Sequence, residues 1–439
     1  MNRPLSLLAA LFLAGTTLSA HAADAPAPLP SGDFAVTNAT IAIGDGSAPI
    51  TGGAVVVRGG RIVAAGKDVA VPSGIPIIDG TGKWVTPGLV SAVTDLGLLG
   101  VGAVDESNDS SAENARFSAG LDVSVAIDPD APPVAVSRAG GVTRAGLAPV
   151  AANAIFAGQG AVMDLGQTGP ATVHARAFQF VELGERGASL AGGSRVAAQA
   201  LLRNALREAS ELSRRSGGQP SDALLTRTDA AALIPVVTGR QPLFVHVERA
   251  ADIRAVLTLG REFPALRLVI VGAAEGWRVA SELAAARVPV FANALADLPG
   301  SFETLAATQS NVGRMTAAGV KVALGGFFDG DQPRYAPQFA GNLVGLSRVP
   351  GATGLSWGQA LAAITSIPAE ILGEGAVFGS LKPGFAADVV VWDGDPLEVT
   401  STPVTIFIDG KPQSLVSHQS RLRERYRHPN EGALPKAYE

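Results

Sequence analysis

Cysteine is absent from the 439 residues. That excludes thiolate nucleophiles, disulfide staples and sulfur ligands for a metal. Histidine is scarce too, with five in the chain: His21, His174, His246, His418 and His428. Lysine is missing from the whole stretch between Lys83 and Lys321. Neither sign of charge dominates, since 34 Lys+Arg face 39 Asp+Glu for a net charge of −5. Such a balance argues against a nucleic-acid surface or an anionic-membrane surface. Past the first residues no run approaches the ~20 apolar residues of a membrane span.

What is present is a long apolar chain, 47% hydrophobic, punctuated by 52 Gly and 29 Pro. Its length suits one large α/β domain plus a smaller one. Asn2-Arg3, the apolar run Leu5 to Leu18 and the small-residue site Ala20-His21-Ala22 read as a cleaved secretory leader over residues 1–22. The expectation is export, to the periplasm in a bacterium. Residues 23–33 are Ala/Pro-rich and read as a linker.

From Phe34 the pattern is β. Strands are expected at Phe34–Ile43, Ala54–Arg58, Arg61–Ala65 and Ile75–Ile78, with Gly59-Gly60 as a hairpin turn that accepts positive φ. Similar segments return at Ala387–Trp392 and Val404–Ile408. Strands from both chain ends, 34–85 and 373–416, predict one small composite β-sandwich. Between them, over residues 86–372, strands and helices alternate. Strands are expected at Gly141–Ala148, Pro242–Glu248, Leu266–Gly272, Val288–Ala292 and Val320–Leu324. Helices are expected at Arg195–Arg215, Ala250–Phe263, Glu275–Ala286, Ser310–Ala318 and Trp357–Leu372. This alternation predicts an α/β fold with a (β/α)8 TIM barrel. A doubly wound open sheet would need a glycine-rich phosphate turn after an early strand, and none stands there.

The organising stretch is Trp84–Gly97, in which Pro87-Gly88 leads into the apolar strand Leu89–Leu96. Two further blocks stand out: Pro242–Ile253 with Leu268–Glu275, and Ala360–Leu372 running on to Ala387–Pro396. Together with Ile77–Leu89 they resemble the amidohydrolase superfamily, in particular exported relatives of imidazolonepropionase. The resemblance implies the barrel, the composite sandwich and, for ordinary members, a metal-activated water that attacks a C–N bond. Such a site needs several donors converging with an open coordination position.

Carried over position by position, the resemblance implies a depleted set. Its His-x-His pair falls on Val93 and Asp95. No lysine is placed to bridge two metals, and the bridging position falls near Phe180 to Glu182. The strand-five histidine matches His246, the strand-six histidine falls on Gly272, and the last-strand aspartate falls on Phe327. Asp329 stands two residues further, ~7 Å along an extended strand. His21 leaves with the leader, and His418 and His428 lie in the Arg-rich tail, residues 417–439. Only His174 and His246 remain for the barrel.

The pocket-lining residues expected are therefore Asp95, His246, Glu248 and Asp329, with no catalytic residue assigned and no metal ligand. Plainer roles are expected of most polar groups. His246 reads as an unmetallated pocket histidine, Asp95 as a cap on a loop or helix amide, and Glu248 as the partner of Arg249 or another cation. Asp329 and Asp331, Gly158–Gly160 and Gly192-Gly193 read as turns. The run Arg421–Arg427 reads as a solvated tail or a partner contact.

The functional expectation is an amidohydrolase-like protein, by resemblance a hydrolase of non-peptide C–N bonds, that has become a non-hydrolytic ligand-binding or partner-supporting relative. No cofactor is expected. Two alternatives stand beside it: an active amidohydrolase with a rebuilt one-metal site, such as Zn, and a structural or assembly subunit. The partners expected are a small-molecule ligand and a paralogous amidohydrolase or a second copy of the chain.

Overall fold

The computed structural model describes residues 29–214, 223–327 and 332–427. The expected leader and Asp329 with Asp331 lie outside them. In chain order the strands are β1 (Phe34–Ile41), β2 (Ile50–Arg58), β3 (Arg61–Gly66), β4 (Ile77–Asp79), β5 (Trp84–Pro87), β6 (Leu89–Thr94), β7 (Val142–Leu147) and β8 (Phe156–Asp164). They continue with β9 (Thr172–Glu182), β10 (Leu243–Val247), β11 (Leu268–Gly272), β12 (Val290–Ala292), β13 (Val322–Phe327), β14 (Val389–Trp392), β15 (Pro403–Ile408) and β16 (Lys411–Pro412).

Strands from the two ends of the chain form one eight-stranded sheet, ordered β16-β15-β14-β5-β1-β2-β3 with β4 paired to β1. The sheet curls back on itself. On β3, the Ile62 amide donates to the Phe385 carbonyl at 2.9 Å, and the Ala387 amide just ahead of β14 donates to Gly60 at 2.8 Å. Phe34, Val55, Val57, Ile62, Val389, Val391 and Phe407 fill the space between its halves, with the Phe34 and Phe407 rings stacked at 4.1 Å.

The middle of the chain closes an eight-stranded barrel, ordered β10-β11-β12-β13-β6-β7-β8-β9. Seven strands run parallel, but β8 is antiparallel to both β7 and β9. The uniform (β/α)8 expectation is corrected at this point. A parallel return needs a crossover of a dozen or more residues, and the connections on either side of β8 are too short to hold a helix. Gly158–Gly160, expected as a turn, lies within this buried strand. Glycine is required at 160 because a Cβ there would sit 2.2 Å from the Phe178 ring. Gly192 and Gly193 do form a turn, both at positive φ.

The barrel interior is apolar and aromatic. Phe178 and Phe244 stack at 4.0 Å, Phe291 lies 5.6 Å from Phe244, and Val90, Ala92, Val269, Val271 and Ala323 complete the layer. Outside, Leu89, Leu147, Val181, Val245, Ile270 and Leu324 face the surrounding helices. Among them are Arg195–Arg214, Ala250–Glu262 and Ala280–Ala286. No helix of the described residues is long and apolar enough to cross a membrane. The terminal sheet is tied to the barrel by Arg144 of β7. Its guanidinium is 5% exposed and reaches Asp388 (2.8 and 3.0 Å), Asp409 (2.9 Å) and Asp164 (2.9 Å).

Candidate functional site at the barrel mouth

Parallel register carries three polar side chains to the C-terminal ends of neighbouring strands. Glu182 ends β9 and sits opposite His246 of β10. Val247 sits opposite Gly272, the last residue of β11. Residues two apart on an extended strand share a face, so His246 and Glu248 point the same way. The imidazole Nδ1 is 2.7 Å from Glu182 Oε1, and Nε2 is 3.2 Å from Glu248 Oε1. The far oxygen of Glu248 accepts from the Ala274 amide at 2.7 Å.

Burial alone would push the His246 pKa down. The charge and hydrogen bond of Glu182, joined by those of Glu248, overcome it and hold the imidazole well above its ordinary value. His246 is thus an imidazolium at neutral pH, donating from both ring nitrogens to carboxylates. Glu248 reaches it because of Gly272. That residue has φ +93°, and a Cβ on it would lie 2.5 Å from Glu248 Oε1. The carboxylate fills the room that a side chain at 272 would take.

Above this triad lies a loop that crosses from the end of β12 towards β9. Its Glu303 accepts from the Glu185 amide at 2.6 Å and from Arg195 at 3.1 Å. Burial raises the Glu303 pKa, although the Glu185 amide and the nearby His246 charge pull against it. Glu275 anchors the same loop by accepting from the Ala306 amide at 3.2 Å. Arg249, expected beside Glu248, instead pairs with Asp252 at 2.9 Å. Arg195 pairs with that same Asp252 at 2.9 Å.

The structure thus brings His246 and Glu248 together and adds Glu182, at the end of the segment where the resemblance put a bridging group. It also adds Glu303, which no pattern in the sequence singled out. Asp95 sits at the end of β6, four strands round the barrel from β10, 6% exposed. Its carbonyl accepts from the Leu98 amide at 2.8 Å, within the turn that leaves the strand. His174 lies far down β9, half exposed, 3.2 Å from Glu374.

Positions that the resemblance gives to ligands hold other chemistry. Val93 is fully buried with the apolar interior. It has φ +58°, an unfavourable conformation for a β-branched residue, at the point where the β6–β7 register shifts. Phe327 packs in the outer layer, its ring 5.8 Å from Phe339. Among the described residues no group of three or more His, Cys, Asp or Glu is arranged to hold a metal ion. A histidine ligates through a free lone pair, and both nitrogens of His246 are hydrogen-bonded to carboxylates. The donors of the described residues do not fit a metal pair.

In fold, and over part of its sequence, the chain is similar to amidohydrolases. The profile of the Amidohydrolase family matches residues 237–412. A 60-residue segment is 52% identical to the amidohydrolase tasK of Hapsidospora irregularis, 14% of this chain and 6% of that one. A 97-residue segment is 37% identical to imidazolonepropionase of Chromobacterium violaceum, covering 22% of each protein. The matched segments are thus a minor part of both relatives. In three dimensions the chain is similar to an amidohydrolase from Thermotoga maritima. The TM-score is 0.74 at 24% identity, over 87% of this chain and 99% of that one.

Proposed function

We propose that the chain is a non-hydrolytic relative of the amidohydrolases, exported from the cell, whose barrel mouth binds a small ligand in place of a metal-activated water. The observation that carries this reading is the clamp on His246. An imidazolium donating to Glu182 and Glu248 has no lone pair for a cation, and Glu248 occupies the room above Gly272. Along the start of the helix Ala250–Glu262 lies a hollow of about 380 Å³, lined by Arg249, Glu275, Arg278, Phe302 and Leu305 and not by the triad itself. Its mixed charge and exposed apolar side chains suit a small zwitterionic or aromatic ligand held by ion pairing and burial.

Elemental analysis of protein purified without added metals, followed by calorimetric titration with Zn, tests the reading. Substoichiometric metal and no tight site are expected. Two tightly held ions per chain would overturn it. A single tight ion, lost in Glu182→Gln, His246→Gln and Glu248→Gln, would favour a rebuilt one-metal hydrolase instead.

A further inference from the structure

The mouth is not the only concave surface. A cleft of about 1120 Å³ opens at the opposite end of the barrel. Pro242, Arg267, Pro289 and Lys321 line it, and each stands just ahead of a parallel strand, β10 to β13. The cleft therefore lies on the N-terminal face, away from the side where barrels of this kind place their chemistry. The C-terminal ends of the helices Ala250–Glu262 and Ala280–Ala286 form its walls.

Its charge is one-sided. Arg261, Arg267, Arg287 and Lys321 line it, against Glu282 and Glu370. Both carboxylates are already engaged: Glu370 by Lys321, and Glu282 by Arg254 at 2.9 Å. The three arginines have no ion pair or side-chain hydrogen bond among the described residues. Helix carbonyl dipoles favour a cation in a last turn, which accounts in part for Arg261 and Arg287. That argument does not reach Arg267, which follows a loop and precedes β11. Three uncompensated guanidiniums around one concavity, on a chain of net charge −5, form a local positive field that attracts and orients anions.

We propose that this cleft is a binding site for a multivalent anion, an oligophosphate or a polycarboxylate, held by Arg261, Arg267 and Arg287. A monovalent anion would satisfy one guanidinium and leave two uncompensated. A ligand with two or three anionic groups engages the set, and the cleft exceeds the roughly 300–1,000 Å³ of ordinary small-molecule pockets. The inference does not depend on the reading of the mouth, because no residue is shared.

The test is isothermal titration of the full chain with sodium pyrophosphate and, separately, with citrate, at ionic strength fixed by NaCl. One saturable site is expected for at least one of the two anions, and the tighter one distinguishes phosphate from carboxylate chemistry. Binding is expected to weaken with added salt. It is expected to weaken about tenfold or more in Arg267→Ala/Arg287→Ala and to stay unchanged in Arg348→Ala, which removes an equal kind of charge elsewhere. Arg267→Gln/Arg287→Gln repeats the measurement with the side-chain stems retained, and thermal melting confirms that each variant is folded. Absence of saturable binding for both anions, or the same affinity in wild type and both double variants, or an equal loss in Arg348→Ala, would overturn the proposal.

Discussion

Around His246, three residues from neighbouring strands form one hydrogen-bonded cluster. The strand spacing His-Val-Glu put two polar side chains on one face of β10, and that much is visible in the sequence. Glu182 was approachable too, since the resemblance located a bridging position in its neighbourhood. The consequence of Gly272 is not visible in one dimension, because it depends on how far the Glu248 carboxylate leans across to β11. Glu303 reaches the site from a long loop without periodicity, so no pattern marks it. The clamp has a consequence for pH. The folded-state pKa of His246 is raised above the ~6.5 of a free histidine. Between those two values the folded protein holds a proton that the unfolded chain has released, so stability falls as pH rises. The contribution is complete below pH ~6.5 and disappears as pH passes through the raised value. The difference in unfolding free energy between wild type and His246→Gln is therefore expected to be constant at acid pH and to shrink on the alkaline side. Urea denaturation at a series of pH values measures it. A difference that grew with pH would mean that the imidazole is held neutral.

At the level of elements, the apolar strands β10 to β13 were legible because buried parallel strands are short β-branched runs. The antiparallel strand β8 was not. Its sequence Phe156–Asp164 contains two glycines, which lower β-propensity and read as turn residues. They are retained for a packing reason that only the partner strand reveals, since the Phe178 ring of β9 lies over Gly160. A methyl group at 160 would meet that ring at 2.2 Å and the Leu147 carbonyl at 2.5 Å. Gly160→Ala is accordingly expected to cost about 1–3 kcal/mol, as overpacking of a core does, read as a lower urea midpoint at unchanged slope. Phe178→Leu removes the clash with the ring, though not the one with the Leu147 carbonyl, so the double variant should lose less than the sum of the two single changes. Strict additivity would show that the ring and the glycine are not in contact.

Across the whole molecule, the terminal sheet and the barrel are separated in sequence but share one buried ion network. Pairing of the chain ends was foreseeable from their matching strand patterns. The network that fastens them to the barrel was not, because the segment Val142–Leu147 reads only as a strand and nothing in it marks the distant carboxylates that Arg144 meets. Burial would lower the pKa of its guanidinium, but Asp388, Asp164 and Asp409 raise it further than burial can offset. The Asp388 side chain is 2% exposed, so without the arginine its carboxylate would be buried without its counter-charge. A buried pair broken from one side leaves an uncompensated charge and costs about 3–5 kcal/mol. Arg144→Met retains most of the side-chain volume and removes only the cation. It is expected to lower stability by that amount and to separate the unfolding of the terminal sheet from that of the barrel. Calorimetry should then resolve two transitions where wild type gives one, with limited proteolysis cutting first near Asp388 or in the chain leading to β1. Asp388→Asn in the same background removes the stranded carboxylate and should restore part of the loss. A single cooperative transition in Arg144→Met, with no rescue by Asp388→Asn, would mean that apolar contacts between sheet and barrel hold the two together without the charge network.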